Sequence, residues 1–392
     1  MASAEAAVAA TEDPGRLRAV PAPPAGRTGS ALLLAALALP GVVPQPAAAQ
    51  TAPDQGVVGL RYFDYRDWQP GAQRMSVRSP SLYVLKPLSD TLSLEGSLVY
   101  DAMSGASPLH HNTLSGASGL GITDYRTAGD LKVTRYFDRF AVGVGGVVSS
   151  ERDYLSRALS LDVRTWTPDK NRTYAFGVAG AHDSINSTNG VAEGERRETY
   201  DFLAGVTQVL NARALVQSNL TFSRGRGYFS DPYKPADTRP DHRRVLAWLT
   251  RYNQYVAPYD ATLKLSYRLI RDSWGADSHT VGVDWVQPLP HGWTVTPALR
   301  YITQSRADFY RDPPFPRGLI FGMPYSADTR LSAFGAFTPS LGLARQLEDG
   351  WTVDLSLNFY RQRSSWHLGG SGSPGLEEFS ARWLELGVGK TF

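Results

Sequence analysis

Side chains that could carry out metal or acid–base chemistry are few in this chain of 392 residues. His110 and His111 are adjacent and lie near Asp101 in the sequence. Imidazoles and a carboxylate are common ligands of zinc, but this spacing does not fix a third ligand. We expect solvated loop histidines here, and we predict neither a metal site nor a cofactor site.

A serine hydrolase is a second chemical alternative. His182 or His279 would act as the base for a serine on a neighbouring strand, such as Ser156 or Ser278. The nucleophile elbow G-x-S-x-G does not occur in the sequence. We therefore predict that the chain has no catalytic residues.

Charged side chains form a richer chemical pattern. They recur at the polar positions of segments in which polar and apolar residues alternate, which places them on one face of β-strands. Facing lipid, a base would cost about 2–4 kcal/mol at mid-depth, whereas in a wet interior it costs little. Because both signs occur, we expect weak selectivity between anions and cations. The predicted lumen charges are Glu95, Asp124, Arg126, Asp130, Lys132, Asp162, Arg164, Asp183, Asp201, Lys264, Arg268, Asp284, Arg300 and Asp354.

The composition narrows the fold class. The chain has no cysteine, which excludes a disulfide framework and a catalytic thiol, and its net charge of +3 provides no electrostatic footprint for nucleic acid. Its negative mean hydropathy excludes a polytopic helical membrane protein. High contents of Gly (37), Pro (26) and aromatic residues (11%) favour strands and turns over long helices.

The N-terminal residues have the pattern of an export signal. Arg16, Arg18 and Arg27 precede an apolar run at 31–39, and an A-x-A site follows at 47–49. The apolar run is too short to span a bilayer as a helix. We predict a signal peptide at 1–49 and a single mature domain at 50–392, exported through the periplasm.

Period-2 alternation dominates the mature chain. At 353–360, for example, apolar residues occupy the odd positions and polar residues the even ones. Pro80, Pro297 and Pro339 fall inside three such segments and would each remove a ladder donor, so roughly fourteen to eighteen strands are compatible with the pattern. Our interpretation is sixteen strands, at 57–66, 75–86, 91–103, 123–136, 139–150, 154–166, 173–183, 198–210, 213–224, 243–254, 259–270, 278–288, 292–304, 329–344, 351–362 and 380–392.

The connections differ in length between the two ends of these strands. Those after even-numbered strands are short, whereas those after odd-numbered strands include long loops at 104–122, 184–197, 225–242, 305–328 and 363–379. A transmembrane barrel has short periplasmic turns and long extracellular loops, and a soluble sandwich has no reason to separate them. We therefore predict an all-β, antiparallel, up-and-down transmembrane β-barrel.

Aromatic residues and the C-terminus are compatible with a bilayer. The terminal strand ends in Phe392, which resembles the signal by which Gram-negative outer-membrane barrels are inserted and implies the barrel-assembly machinery as a partner. Amphipathic rings favour the two bilayer interfaces, so we expect aromatic girdles there. The predicted girdle residues are Tyr136, Phe140, Trp166, Tyr259, Trp285, Trp293 and Trp351 near the turns, and Tyr100, Tyr154, Phe222, Phe359 and Trp383 near the long loops.

Two of the long loops have unusual compositions. The loop at 305–328 is apolar for a segment exposed to water, and we predict that its large side chains form a constriction in or over the lumen: Phe309, Phe315, Ile320 and Phe321. The segment at 224–244 combines bases with aromatic residues. It is either a contact for anionic lipopolysaccharide or an anionic solute, or a solvated loop: Arg224, Arg226, Lys234, Arg239, Arg243 and Arg244, beside Tyr228, Phe229 and Tyr233.

Several short motifs resemble a family of bacterial proteins known only as a domain of unknown function. They are LRYFDYRDWQPG at 60–71, SPSLY at 79–83, SLEGS at 93–97, SGASP at 104–108, LSGASG at 114–119 and VTRYF at 133–137. The resemblance spans nearly all of the predicted mature chain. It implies an outer-membrane barrel and no assigned activity. Members tend to be encoded near thioredoxin-like and flavin-attachment proteins, which implies a link to extracytoplasmic electron transfer.

Together these patterns predict a bacterial outer-membrane β-barrel that passes small polar solutes and has no enzymatic activity. The main alternative is a closed barrel that serves as a structural or docking platform, with a redox system among its candidate partners. A hydrolase at the barrel rim is a lesser alternative. The strand pattern is the same for an open and a plugged barrel, because these differ in how far side chains fill the interior.

Overall fold

Sixteen antiparallel strands close into one barrel in a computed structural model that describes residues 51–105, 122–234, 236–312 and 323–392. Consecutive strands pair with each other, and the first strand pairs with the last, which confirms the predicted up-and-down architecture. The strands are β1 (Val57–Gln69), β2 (Ala72–Ser89), β3 (Leu92–Gly105), β4 (Ile122–Tyr136), β5 (Phe140–Ser150), β6 (Tyr154–Trp166), β7 (Arg172–Ile185), β8 (Glu195–Asn211), β9 (Ala214–Gly227), β10 (His242–Val256), β11 (Ala261–Asp272), β12 (Ser278–Leu289), β13 (Trp293–Gln304), β14 (Phe334–Gln346), β15 (Trp351–Arg363) and β16 (Phe379–Thr391).

The two ends of the barrel differ in their connections. We call the end with the connections after even-numbered strands the turn rim, and the opposite end the loop rim. The turn rim also holds both ends of the barrel sheet, where Gly56 and Phe392 exchange backbone hydrogen bonds of 2.8 and 2.9 Å. The loop rim carries the longer connections, at 186–194, 228–241, 305–333 and 364–378 among others. No helix in the described part of the chain is long and apolar enough to cross a membrane.

Alternation along each strand separates an apolar outer face from a more polar inner face. On β6, for example, Leu159 and Leu161 are exposed, whereas Asp162 and Arg164, further along the strand on the other face, are buried. Because successive side chains of a strand point to opposite faces, the same division extends around the closed sheet. The outer face therefore carries exposed Leu, Val, Phe and Tyr side chains, with Leu159 72% exposed.

The three prolines that the sequence analysis singled out inside strands, Pro80, Pro297 and Pro339, occur where a ladder is interrupted on one side. The β2–β3 register skips Pro80, the β12–β13 register skips Pro297, and the β14–β15 register skips Pro339. Each proline keeps its place in the register with the other neighbouring strand. Since proline removes one N–H, it interrupts one ladder without ending the strand. This is why β2, β13 and β14 form despite their prolines.

The predicted start of the fourteenth strand, at 329, is wrong. β14 begins at Phe334, and Thr329–Leu331 form a short 3-10 helix instead. The Asp328 side chain caps this helix by accepting a hydrogen bond from the Arg330 backbone N–H. An Asp at the N-cap satisfies a backbone donor that a strand ladder would otherwise need to pair.

The predicted aromatic girdle is correct in part. Several of its members are exposed on the outer face: Tyr100, Phe140, Phe222, Tyr259, Trp293, Trp351 and Phe359. Tyr154, Trp166 and Trp383 are instead buried, and Tyr136 faces inward, where its hydroxyl accepts a hydrogen bond from Ser93. Near the strand ends aromatic residues occur on both faces, so residue type does not indicate the direction of the side chain.

Candidate functional site: lumen and cap

The structure places all the predicted lumen charges on the inner face of the barrel. On β4, Asp130 and Lys132 alternate with the exposed Leu131 and Val133. The other members follow the same rule on their own strands, and Asp183, Asp201 and Asp354 are almost completely buried. The interior is therefore lined by charge of both signs.

Ion pairs join many of these side chains across neighbouring strands. Lys132 on β4 contacts Asp162 on β6, with the small Gly143 of β5 between them. Arg126 on β4 donates to Asp101 on β3 at 2.7 Å. Such pairs make the wall rigid, because each long base is held by a carboxylate on another strand.

Three further inward charges belong to this network and were not predicted from the sequence. Arg197 on β8 donates to Asp183 at 2.6 Å, and Arg61 on β1 donates to Asp354 on β15 at 3.2 Å. Glu385 on β16 lies 3.9 Å from Arg61. Strand β1 carries aromatic residues on both faces, so period-2 alternation did not identify Arg61 as inward.

The wall formed by β10–β13 lines a small cavity of about 30 Å³. Its lining includes four bases and one acid among the described residues: Arg251, Lys264, Arg268, Arg300 and Asp284. Sequence reasoning identified all of these except Arg251, because β10 has apolar residues on both faces. This is the part of the lumen where a solute could be held by charge.

Aromatic side chains fill the interior on another side of the barrel, near the loop rim. Tyr65, Tyr360 and Trp383 belong to a buried cluster on β1, β2 and β14–β16, which we call the lumen cluster. Trp383 is 2% exposed. The lumen cluster narrows the interior at this level, because large side chains from several strands pack against one another there.

Two long connections at the loop rim fold together into one unit. We call this unit the cap, and define it as the described residues of 228–241, between β9 and β10, and of 305–333, between β13 and β14. Backbone bridges join Thr238 to Tyr325 and Tyr310 to Ser326. The Tyr325 N–H donates to the Thr238 carbonyl at 2.7 Å, and the reverse bond is 2.8 Å.

An ionic cluster holds the two halves of the cap together. Asp328, which is completely buried, accepts hydrogen bonds from Arg239 at 2.8 Å and from Arg330, and lies 2.9 Å from the Lys234 ammonium. Asp237 accepts from Arg239 at 2.8 Å. Although burial by itself raises the pKa of Asp328, the bases Arg330, Lys234 and Arg239 outweigh it and hold this pKa well below its usual range.

The cap is anchored on the inner side of the loop rim. Phe229 lies with its ring 5.4 Å from the guanidinium of the inward Arg197, and it packs edge-on against Trp274. The Tyr233 hydroxyl donates to Asp153, in the β5–β6 connection, at 2.8 Å. The Ala333 N–H donates to Ser373, in the β15–β16 connection, at 2.9 Å. The cap thus contacts widely separated parts of the loop rim.

Part of the predicted constriction loop lies in the cap. Phe309 is buried there and packs edge-on against Trp274, with ring centroids 5.3 Å apart. Phe315, Ile320 and Phe321 lie outside the described residues.

The predicted basic segment divides into two groups. Lys234 and Arg239 are buried in the cap, so the expectation that they face lipopolysaccharide or solvent is wrong. Arg224, Arg226 and Arg244 remain exposed on the outer face of β9 and β10, near the loop rim.

The candidate catalytic pairs do not assemble. Ser156 pairs in register with Asp183 and faces inward, whereas His182 lies on the outer face beside Glu198. Ser278 is buried and His279, the next residue, points the opposite way and contacts the Tyr267 hydroxyl. His110 and His111 lie outside the described residues.

Three carboxylates converge at the loop rim. Asp124 of β4 and Glu151 and Asp153 of the β5–β6 connection each place an oxygen within 4.8 Å of the others. Carboxylate oxygens at such spacing are the donors that a hard divalent cation prefers. The sequence offered no signal for this arrangement, because Asp124 is remote from the other two along the chain.

Comparisons with known proteins give a family and a set of similar barrels. A family model described as "Protein of unknown function (DUF3570)" matches residues 29–193 and 186–383. No curated protein matches the sequence.

Similar solved structures include the siderophore receptor PirA from Pseudomonas aeruginosa, with 12% identity, a TM-score of 0.44 and coverage of 79% of this chain and 56% of that chain. CdiB from Acinetobacter baumannii has 9% identity, a TM-score of 0.48 and coverage of 84% and 60%. A bacterial polysaccharide outer membrane secretin has 8% identity, a TM-score of 0.48 and coverage of 86% and 98%. The chain spans less than two thirds of the first two structures.

Proposed function

We propose that this chain, which belongs to the DUF3570 family of proteins of unknown function, is an outer-membrane pore for small polar solutes. The observation that carries the proposal is the division of a closed sheet into an apolar outer face and a charged inner face. An apolar exterior suits lipid, and a charged interior suits water and polar solutes. A closed sheet also leaves no unpaired strand edge in the bilayer.

The cap and the lumen cluster would control the route through this pore. Solute entering at the loop rim meets the cap first and then passes the lumen cluster, which leaves the β10–β13 wall as the polar side of the interior. A loop constriction of this kind restricts passage to small solutes, because it reduces the free cross-section of the barrel.

Lipopolysaccharide is the proposed partner of the outer surface at the loop rim. Arg224 and Arg244 are directly opposite each other in the β9–β10 register, and Arg226 lies opposite His242. The exposed Phe222 and Leu246 form the next outward pair toward the turn rim. Bases just beyond an apolar band are placed to contact the phosphates of an anionic lipid headgroup.

A closed barrel that docks a partner is the second candidate. The buried lumen cluster and the ion-paired cap favour it, since both fill space that a wide pore would leave open. In that case the charged wall would stabilise the barrel rather than conduct solutes.

Planar-bilayer recording separates the two candidates. The chain from residue 50 onward is refolded in detergent, its folding is verified by heat-modifiable mobility in gels, and single-channel current is recorded. Discrete, reproducible conductance steps support the pore. A silent bilayer with verified folding overturns the pore and supports the closed barrel.

A further inference from the structure

We infer that the inner wall formed by β10–β13 binds small oxyanions such as phosphate or a carboxylate. The inference rests on the proposed pore and names the class of solute that the pore prefers. It begins from the small cavity of about 30 Å³ that this wall lines. Arginine and lysine side chains that converge on one place bind phosphate and carboxylate groups through charge-assisted hydrogen bonds.

The bases of this wall are close neighbours in the sheet. Arg251 on β10 lies opposite Ser266 on β11, which in turn lies opposite Gly282 on β12, and Gly282 lies opposite Arg300 on β13. Lys264 and Arg268 flank Ser266 on the same face of β11. Four positive charges thus surround one position of the wall. Asp284, opposite Lys264, offsets one of them, so the wall keeps a net positive charge.

The centre of this wall carries a glycine and a buried hydroxyl that line the cavity. A side chain at Gly282 would meet the Ser266 hydroxyl at 2.6 Å, so glycine keeps the space between Arg251 and Arg300 open. Thr280, 7% exposed, lines the cavity, and its hydroxyl oxygen has no hydrogen-bond partner among the described residues. A buried hydroxyl needs a hydrogen-bond partner. An oxyanion bound here would accept hydrogen bonds from the Thr280 hydroxyl and from the neighbouring arginines.

The inner faces of β3 and β4, across the lumen from this wall, carry a net negative charge. In the closed order of strands, β3 and β4 lie eight strands from β11 and β12. Their inner faces carry more acids than bases: Glu95, Asp101, Asp124 and Asp130 against Arg126 and Lys132. Both walls therefore contain charges of both signs, but bases are in excess on β10–β13 and acids are in excess on β3 and β4. An anion near β10–β13 experiences a local excess of positive charge, which favours anions. The permeability ratio described below tests this preference against the weak selectivity that the sequence predicts.

Two measurements test the site, one of which does not depend on conduction. First, the midpoint of heat-modification is measured in detergent with and without inorganic phosphate. Second, the reversal potential is measured in planar bilayers across a KCl gradient near 0.1 M, where charge is screened over about 10 Å. The variants are Arg268→Gln, Arg300→Gln and Asp284→Asn. Arg157→Gln is the matched control, because Arg157 is exposed on the outer face of β6.

We expect phosphate to raise the heat-modification midpoint of the wild type and of the Arg157→Gln control. In Arg268→Gln and Arg300→Gln, phosphate should leave the midpoint unchanged. The chloride-to-potassium permeability ratio should exceed one, fall severalfold in these two variants and rise in Asp284→Asn. Equal phosphate responses in all folded variants, or a ratio that none of the inner substitutions changes, would overturn the inference while leaving the pore intact. Phosphate stabilisation in a protein that forms no channels would keep the site and overturn the pore.

Discussion

Arg239 donates a hydrogen bond of 2.8 Å to Asp328, although the two residues are 89 positions apart and lie in different connections of the barrel. Lys234 and Arg330 contact the same carboxylate. One buried acid therefore links the β9–β10 connection to the β13–β14 connection. If the cap controls passage through the lumen, this carboxylate is the group on which its closed arrangement depends.

Replacing this acid should loosen the cap. Asp328→Asn leaves three buried bases without their shared carboxylate, and breaking such a buried ion pair typically costs about 3–5 kcal/mol. We expect faster limited proteolysis within the cap and larger or more frequent single-channel openings. The control is Asp241→Asn in the same connection, because its side chain is 75% exposed and such exposed pairs contribute about 0–1 kcal/mol. Equal proteolysis rates for the two variants would contradict the role of Asp328.

The cap should stay closed in mildly acidic medium. The pKa of Asp328 in the folded protein is held well below its usual range, whereas the pKa of an Asp in an unfolded chain is about 3.9. A depressed carboxyl pKa contributes stability that is fully present above the unfolded value and is lost as pH falls through the folded one. We therefore expect the same cap proteolysis rate at pH 5 and pH 7 and a faster rate only in stronger acid. A cap proteolysis rate that increases between pH 7 and pH 5 would contradict the role of the Asp328 ion pairs in holding the cap closed.

Gly143 on β5, between Lys132 of β4 and Asp162 of β6, should tolerate a side chain poorly. A side-chain carbon at Gly143 would meet Lys132 Cε at 2.5 Å and an Asp162 carboxylate oxygen at 2.6 Å, and would displace this ion pair. We expect Gly143→Ala to destabilise the barrel by about 1–3 kcal/mol, as overpacking does. Gly146→Ala on the same strand meets its nearest atom at 3.6 Å and should be nearly neutral. Heat-modification midpoints of the two variants compare them directly, and equal midpoints would refute the expectation.

The outer face should reject charge at mid-depth. Leu159, in the middle of β6, is 72% exposed, and a base there should cost about 2–4 kcal/mol in a bilayer. Leu159→Lys should therefore reduce the yield of folded protein in lipid vesicles. Leu368→Lys, at a residue 71% exposed in the β15–β16 connection, is the matched control and should fold normally. If both variants fold equally well in vesicles, this face does not contact lipid.

The side chain of Phe392 should affect insertion into the outer membrane more than the stability of the folded barrel. Phe392 closes the sheet through backbone bonds to Gly56, which any residue could make, whereas its ring is 60% exposed. We expect Phe392→Ala to lower the amount of folded protein in the outer-membrane fraction of expressing cells, without preventing refolding in detergent. Phe359→Ala, which removes an exposed ring from β15, serves as the comparison. An unchanged outer-membrane yield for Phe392→Ala would remove the basis for an insertion signal at this residue.

The strands and the direction of most lumen charges could be predicted because they depend on local periodicity. Lys264 and Arg268 alternate with Leu263, Leu265 and Leu269, and a strand with one wet and one apolar face needs no further information to orient them. Alternation is weaker where both faces are apolar, which is why Arg61 and Arg251 were missed and why Trp383 was placed on the wrong face.

The sequence by itself indicated an up-and-down barrel of about sixteen strands, connections of unequal length at its two ends, and the separation of an apolar exterior from a charged interior, because each of these follows from residues close together in the chain. The tertiary structure decided which charges meet. Loop folding brings Asp328 and Arg239 together, and barrel closure places the bases of β10–β13 across the lumen from the acids of β3 and β4. Neither has a sequence period, because such contacts depend on where distant segments return in space.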